Sequence, residues 1–368
     1  MKKKLLYITD QFRNSNHSSI EAIFDGYLKE YFDITLLYFD KTTDTQKQTE
    51  NRIYFPYKRR KEISKKTDLQ RYDIIIVRNR FDILKQLLFL KRDFKLGFQL
   101  SFPHSFRRYY QAKMEKKALF RKKIEYEIKD YMEKKYIKRC DFFLPISSTM
   151  YKLFYYDLKV PCFTLPLGID PKSILKKERR DDEKIRFVYT GSIDRLREFD
   201  VVLKAFCKVK RDDFTLDIFT PHFEYAKSLM DELPNEMKSK IRLSKSLPRD
   251  ELLKKLPSFD VGIFLIPESL LYAVSSPTKV MEYYQCQIPS LMSKIPECLE
   301  LFADEEEGWI CDFDENEIEK KVKKILTLTK EEIAKMGIKG EEVLSQKRNY
   351  KTISKEFYSF IGKIWMSI

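Results

Sequence analysis

The sequence predicts two doubly wound, mostly parallel α/β domains. Three observations carry this. Apolar runs of strand length alternate with amphipathic stretches of helix length. The alternation stops at a charged stretch, KSILKKERRDDEK, between residues 171 and 184, and then restarts. The 368 residues suffice for two domains of ordinary size. In the first half, LLYIT (5–9), ITLLYF (34–39), DIIIVR (73–78), LGFQLSF (96–102) and DFFLPIS (141–147) read as buried strands. Helices are expected near 18–31, 81–92 and 113–138. Leu119, Ile124, Ile128, Met132 and Tyr136 recur at helical steps in the last, which predicts an amphipathic helix with a basic outer face, packed on its own domain or lying on anionic membrane. In the second half the strands are RFVYTG (186–191), FTLDIF (214–219), KIRLSKSL (240–247), VGIFLI (261–266), PSLMS (289–293) and WICDF (309–313). Ligands of such sheets bind at the carboxyl ends of the strands, and with two domains the cleft between them is the default site.

Composition narrows the function classes. Apolar residues make up 43% and charged residues 35%, a globular balance, and 9 glycines with 14 prolines exclude collagen-like or linker-dominated chains. The start, MKKKLLYITD, has an apolar run too short for a leader or a membrane span, so a cytoplasmic protein is expected. Cys140, Cys162, Cys207, Cys286, Cys298 and Cys311 form no CxxC pair and read as reduced thiols. Three histidines, His17, His104 and His222, argue against a histidine-rich metal site. The net charge of +15 lies wholly in the first half. Residues 1–170 hold 36 Lys and Arg against 21 Asp and Glu, and the remainder balances. That half is expected to face an acidic partner, anionic membrane among the candidates.

Two segments carry chemistry. In SSPTKVMEYYQCQIPSLMS (275–293), Ser276 is placed to cap a helix with Pro277 at its first position. The amides from Thr278 and Lys279 onward then form an anion site at the positive end of the helix dipole. Glu282 lies one turn further on the same face. In VYTGSIDRLREFDVVLKAF (188–206), Gly191 allows a sharp turn after a strand, Ser192 follows, and Arg195 and Arg197 offer cationic forks suited to a diphosphate.

This second run resembles the first strand, loop and helix of the C-terminal domain in GT-B glycosyltransferases of the retaining family four (group 1). Members read G-R-x-x-x-x-K-G-x-D there. Arg197 stands at the cation position and Asp200 at the aspartate, while Ser192 replaces the usual arginine and Glu198 the usual glycine. Glu282 with CQIPS (286–290) matches the second glutamate of the family's E-x7-E motif, which binds the ribose hydroxyls of a nucleotide sugar. Val274 stands where the first glutamate would be, so the sugar contact of that residue is not carried over. FDVGIFLIP (259–267), RCDFFLPISSTMYKLF (139–154), LPLGID (165–170) and KTISKEFYSFIGKIW (351–365) match further segments in order, and the loop TDQFRNSN (9–16) lacks the family's glycine pair.

The resemblance implies a GT-B fold, two Rossmann-like domains facing across a cleft. Residues 1–165 would bind the acceptor, 166–184 form a hinge, 185–345 bind the nucleotide sugar, and 346–368 form a helix crossing back. It implies a retaining transfer from a nucleotide-diphosphate sugar, UDP favoured, to a saccharide or lipid-linked acceptor in surface-glycan synthesis. Gly191, Ser192, Arg195, Arg197, Ser276, Thr278, Lys279 and Glu282 would hold the donor. His104, in QLSFPHSFRR, lies where the family faces a histidine to the donor sugar, and Arg107 and Arg108 follow it towards an acidic acceptor. No cofactor is expected. Asp312-Phe313-Asp314 spells a D-x-D, but its place before a late helix reads as a solvated loop, so no metal is expected. The competing readings are a non-catalytic accessory protein of the same fold, a sugar-nucleotide epimerase, and a nucleic-acid binder; no nucleic-acid motif is present, and none is expected as partner.

Overall fold

The structure, a computed structural model, describes residues 2–13, 17–178 and 182–366. Residues 14–16 of the loop after the first strand, 179–181 of the charged linker and 367–368 of the closing segment lie outside the described residues. The chain forms two compact units. One comprises Met1–Pro166, Val274–Ser276 and Tyr350–Ile368, the other Leu167–Ala273 and Pro277–Asn349.

Among the described residues the first unit holds seven strands: β1 (Lys3–Phe12), β2 (Phe32–Asp40), β3 (Lys47–Gln48), β4 (Arg52–Pro56), β5 (Ile74–Arg78), β6 (Lys95–Leu100) and β7 (Phe142–Pro145). Their order across the sheet is β3-β4-β2-β1-β5-β6-β7, parallel except for β3. The chain runs outward from β1 on one side and returns to β5 on the other, so the strand order reverses between β1 and β5. Alternate residues of each strand share a face. Leu5, Tyr7, Ile74, Ile76, Phe142 and Leu144 therefore pack into one core with Phe24. The closing helix, Tyr350–Met366, sets Ile353, Phe357, Ile361 and Ile364 into that same core at helical spacing.

The second unit holds β8 (Ile185–Thr190), β9 (Phe214–Thr220), β10 (Ile241–Lys245), β11 (Val261–Phe264), β12 (Ser290–Ser293) and β13 (Trp309–Cys311). They lie in the order β10-β9-β8-β11-β12-β13, all parallel, with the reversal between β8 and β11. At such a reversal a doubly wound sheet opens a crevice outside the carboxyl ends of its strands.

All eleven expected strands are present. The two unforeseen ones, β3 and β4, form the edge of the first sheet, where short and partly polar strands suffice. The helix expected near 18–31 is instead a π turn (Ile20–Phe24) and a 3-10 turn (Tyr27–Glu30), separated around Gly26. The helix expected over 113–138 is two helices, His104–Met114 and Leu119–Ile137, divided where Lys116 and Ala118 take positive φ of 52° and 46°. The first part of its apolar stripe is not packed on the domain. Leu119, Ile124 and Ile128 are exposed. The inward face is taken by Tyr126, stacked on Tyr109 at 5.4 Å, and by Glu133, whose carboxylate accepts from Ser105 Oγ. Aromatic stacking between the helices outweighs burial of the aliphatic row.

Two outcomes are expected. A Cβ at Gly262 would stand 2.3 Å from the Tyr283 ring, so Gly262→Ala overpacks the second core. It should cost about 1–3 kcal/mol, read as a lower urea midpoint at unchanged slope. Burial, with Asp130 nearby and Ser105 opposing, raises the Glu133 pKa to about 7. The folded chain then holds this proton more tightly than the unfolded one. The associated stability is present below the ordinary carboxylate range and is lost as pH rises through about 7. Glu133→Gln should therefore raise the thermal midpoint relative to wild type at alkaline pH and change it little in acid.

Candidate active site

In the second unit the site begins where β8 ends. Gly191 has φ of +142°, and its amide donates to Phe219 O at 3.0 Å, which turns the chain sharply off the sheet. The Tyr189 hydroxyl donates to Ser192 O at 2.6 Å and fixes the next residue. Asp194 accepts from Leu196 N at 3.1 Å and caps a single 3-10 turn, Arg195–Arg197. Arg195 is exposed, whereas Arg197 is half-buried with its guanidinium 5.3 Å from the Tyr272 ring centre. Glu198 then takes the left-handed conformation, φ 46°, before the helix Phe199–Lys208. That is the position where a glycine was expected from the family pattern, and its φ lies in the left-handed region that favours glycine.

The helix carrying Glu282 spans Thr278–Gln285. One expectation needs correction here. Ser276 does not cap this helix: the cap residue is Pro277, which offers no side-chain acceptor, and Ser276 groups with the first unit. The N–H groups of Thr278 and Lys279 still open the helix without a carbonyl one turn back to receive them. Glu282 is 3% exposed and paired on both oxygens. Arg249 Nε donates to Oε1 at 3.3 Å, and Lys279 Nζ to Oε2 at 2.7 Å. A carboxylate held by these two cations keeps lone pairs for further hydroxyl donors. The adjacent Tyr283 hydroxyl receives Thr190 N–H at 3.1 Å. With the Thr190 hydroxyl 3.1 Å from the same oxygen and Val188 O accepting from it at 3.4 Å, it ties the Glu282 helix to the end of β8, one residue before Gly191. Arg249, 33 residues from Glu282, carried no motif signal in the sequence.

The first unit has its own polar cluster at its strand reversal. Asp10, on β1, pairs with Arg78 at the end of β5 and accepts from Asn79 Nδ2 at 3.0 Å. Arg78 is only 4% exposed, and its second terminal nitrogen lies 3.1 Å from His17 Nε2. Asn79, at φ 56°, links onward to Ser101 Oγ at 2.6 Å. Sequence reasoning missed Asp10, Arg78, His17 and Asn79; a buried charge at a strand end is a signal only once the sheet order is known. His104 opens the helix His104–Met114, with Arg107 and Arg108 exposed one turn on. Crowding by surrounding protein lowers its pKa, Asp10 opposing and Arg107, Arg78 and Arg108 reinforcing, so the imidazole is neutral at neutral pH. Asp314 of the D-x-D caps the helix Glu315–Ile325, accepting from Asn316 N at 2.8 Å, while Asp312 pairs with Lys294.

Residues 170–343 match the family described as "Glycosyl transferases group 1". No curated protein matches. Among solved structures, the sucrose-phosphate synthase of Thermosynechococcus elongatus superposes with a TM-score of 0.74 at 11% identity over 100% of both chains. Anabaena HepE in complex with UDP and glucose gives 0.70 at 12% identity, covering 98% of this chain and 100% of that one. A UDP-forming α,α-trehalose-phosphate synthase from Burkholderia xenovorans gives 0.68 at 11% identity over 99% of each chain. At such identities these likenesses speak for the fold, and the family match speaks for the chemistry of the second unit. Residues 170–343, with the loop after β8 and the paired buried glutamate, thus match a group 1 glycosyltransferase domain, and the whole chain has the GT-B fold.

Proposed function

We propose that the chain transfers a sugar, with retention of configuration, from a UDP-sugar to a saccharide or lipid-linked saccharide in surface-glycan synthesis, in the cytoplasm and peripherally on the inner membrane face. The observation that carries the donor half is the paired, buried Glu282 on a helix tethered to the turn at Gly191. UDP is favoured because similar solved structures are described with UDP or as UDP-forming.

In this reading Glu282 holds the ribose hydroxyls. Arg197, Arg195 and the backbone after Gly191 and Ser192 take the diphosphate together with the amides of Thr278 and Lys279. The bond from the anomeric carbon to the phosphate oxygen breaks as the acceptor oxygen bonds on the same face. The departing phosphate oxygen receives the acceptor's proton. The protein's share is positioning and stabilising the charge that develops on the diphosphate. His104, neutral at neutral pH, touches the donor sugar rather than acting as a base. Arg107, Arg108 and the Asp10–Arg78 cluster recognise the acceptor. No metal takes part.

The first measurement is thermal unfolding with UDP, GDP, ADP and CMP, on wild type, Glu282→Ala and Arg197→Gln. A nucleotide at about 100 times its dissociation constant should add roughly 2.7 kcal/mol of stability. UDP is expected to raise the wild-type midpoint, and both variants to lose most of that shift. If no nucleotide moves the wild type, the donor reading fails and a non-catalytic accessory protein takes its place. Transfer should proceed unchanged in EDTA; a rate restored only by added divalent ion would overturn the metal-free mechanism.

A further inference from the structure

We infer that the outward face of the helix Leu119–Ile137 is a docking surface for an anionic lipid bilayer. Phe120, Ile124, Ile128 and Tyr131 follow one another at steps of four, four and three residues. They therefore form a single row about 16 Å long. Their exposures are 78%, 41%, 59% and 65%. Isolated surface apolar groups are ordinary, but a contiguous row of four bulky ones is an interaction surface. Within the unit the helix spends its opposite face on packing, through Tyr126 against Tyr109 and Phe106 and through the buried Ile137.

Charge identifies the occupant. Residues 104–138 hold 12 Lys and Arg against 5 Asp and Glu. Most of the helix's acids are spent in pairs along it, Glu125 with Lys122 and Lys129, Glu127 with Lys123, and Asp130 with Lys134. Arg121 and Lys135 stand exposed beside the apolar row. A second copy of the same face would meet it with like charge. Nucleic acid would satisfy the cations but leave Ile124 and Ile128 without an apolar counterpart. A bilayer with acidic headgroups satisfies both. Phosphates receive the cations while Phe120 and the isoleucines reach the acyl boundary and Tyr131 sits at headgroup level. This rests on the proposed membrane-facing role of the basic first half and names the element that performs it.

The test is co-sedimentation of the full chain with vesicles of phosphatidylcholine alone and of phosphatidylcholine mixed equally with phosphatidylglycerol. Wild type should pellet with the mixed vesicles, far less with the neutral ones, and less as salt rises. The triple variant Phe120→Ser/Ile124→Ser/Ile128→Ser should lose at least about tenfold in apparent affinity, since each removes buried apolar area at the interface. Its thermal midpoint and UDP shift, unchanged, separate loss of docking from loss of fold. Because the vesicle readout needs no sugar transfer, its failure and that of the donor reading are distinguishable. Equal pelleting with neutral vesicles, an unaffected triple variant, or no pelleting at all would each overturn the proposal. So would a concentration-dependent dimer of wild type that the triple variant abolishes, which would assign the row to self-association.

Discussion

The second unit's site hangs on one phenol. The Tyr283 hydroxyl sits under the last residue of β8 and receives its amide, while the ring lies flat on the glycine that β11 supplies at Gly262. Burial raises the hydroxyl's pKa far above its ordinary value, so it remains a neutral hydrogen-bonding group. A helix of eight residues has little stability of its own. Docked by this contact, it holds Glu282 at one place relative to the turn at Gly191. The carboxylate's burial is then offset by Arg249 and Lys279, which arrive from a different helix and from one turn back. Helix docking comes first in this hierarchy, and the charge pairing depends on it.

The first unit solves a similar problem by a different route. Its sheet reversal is sealed by a chain of side chains, Asp10, Arg78, His17 and Asn79, with Ser101 continuing to the next strand. No helix terminus is needed there, because the buried guanidinium provides the positive charge. The two units thus share a topology, while one offers backbone amides at a helix start and the other a buried ionic network.

Much of this architecture was readable from residues alone, and the limits follow from physics. Strands such as IIIVR and VGIF are buried on both faces, so an uninterrupted apolar run announces them. Glu282, Gly191 and Arg197 stood out as candidates because their spacing along the chain reflects one local turn and one helix start. Arg249 and the Asp10–Arg78 pair were invisible, since their partners lie 33 and 68 residues away and only sheet order brings them together. The cap at Ser276 was misplaced because Ser-Ser-Pro-Thr reads well in two registers differing by one residue. The row on Leu119–Ile137 was read correctly as helical, with packing on its own domain preferred to the exposed position it takes. Periodicity reveals that a face exists but says nothing of what covers it.

The closing helix has a consequence for how the protein is made. Ile353, Phe357 and Ile361 fill the core built by strands whose first residues are Lys3 and Ile74. A ribosome releases those strands long before that helix. The unit begun first can therefore be completed only after the whole of the other has emerged, since the latter's residues lie in between. Until then its apolar sheet face stands open, and the nascent chain depends on shielding by chaperones or by the ribosome surface. The order of assembly is nested rather than sequential, since the second unit's residues are complete before the first unit's last helix is made.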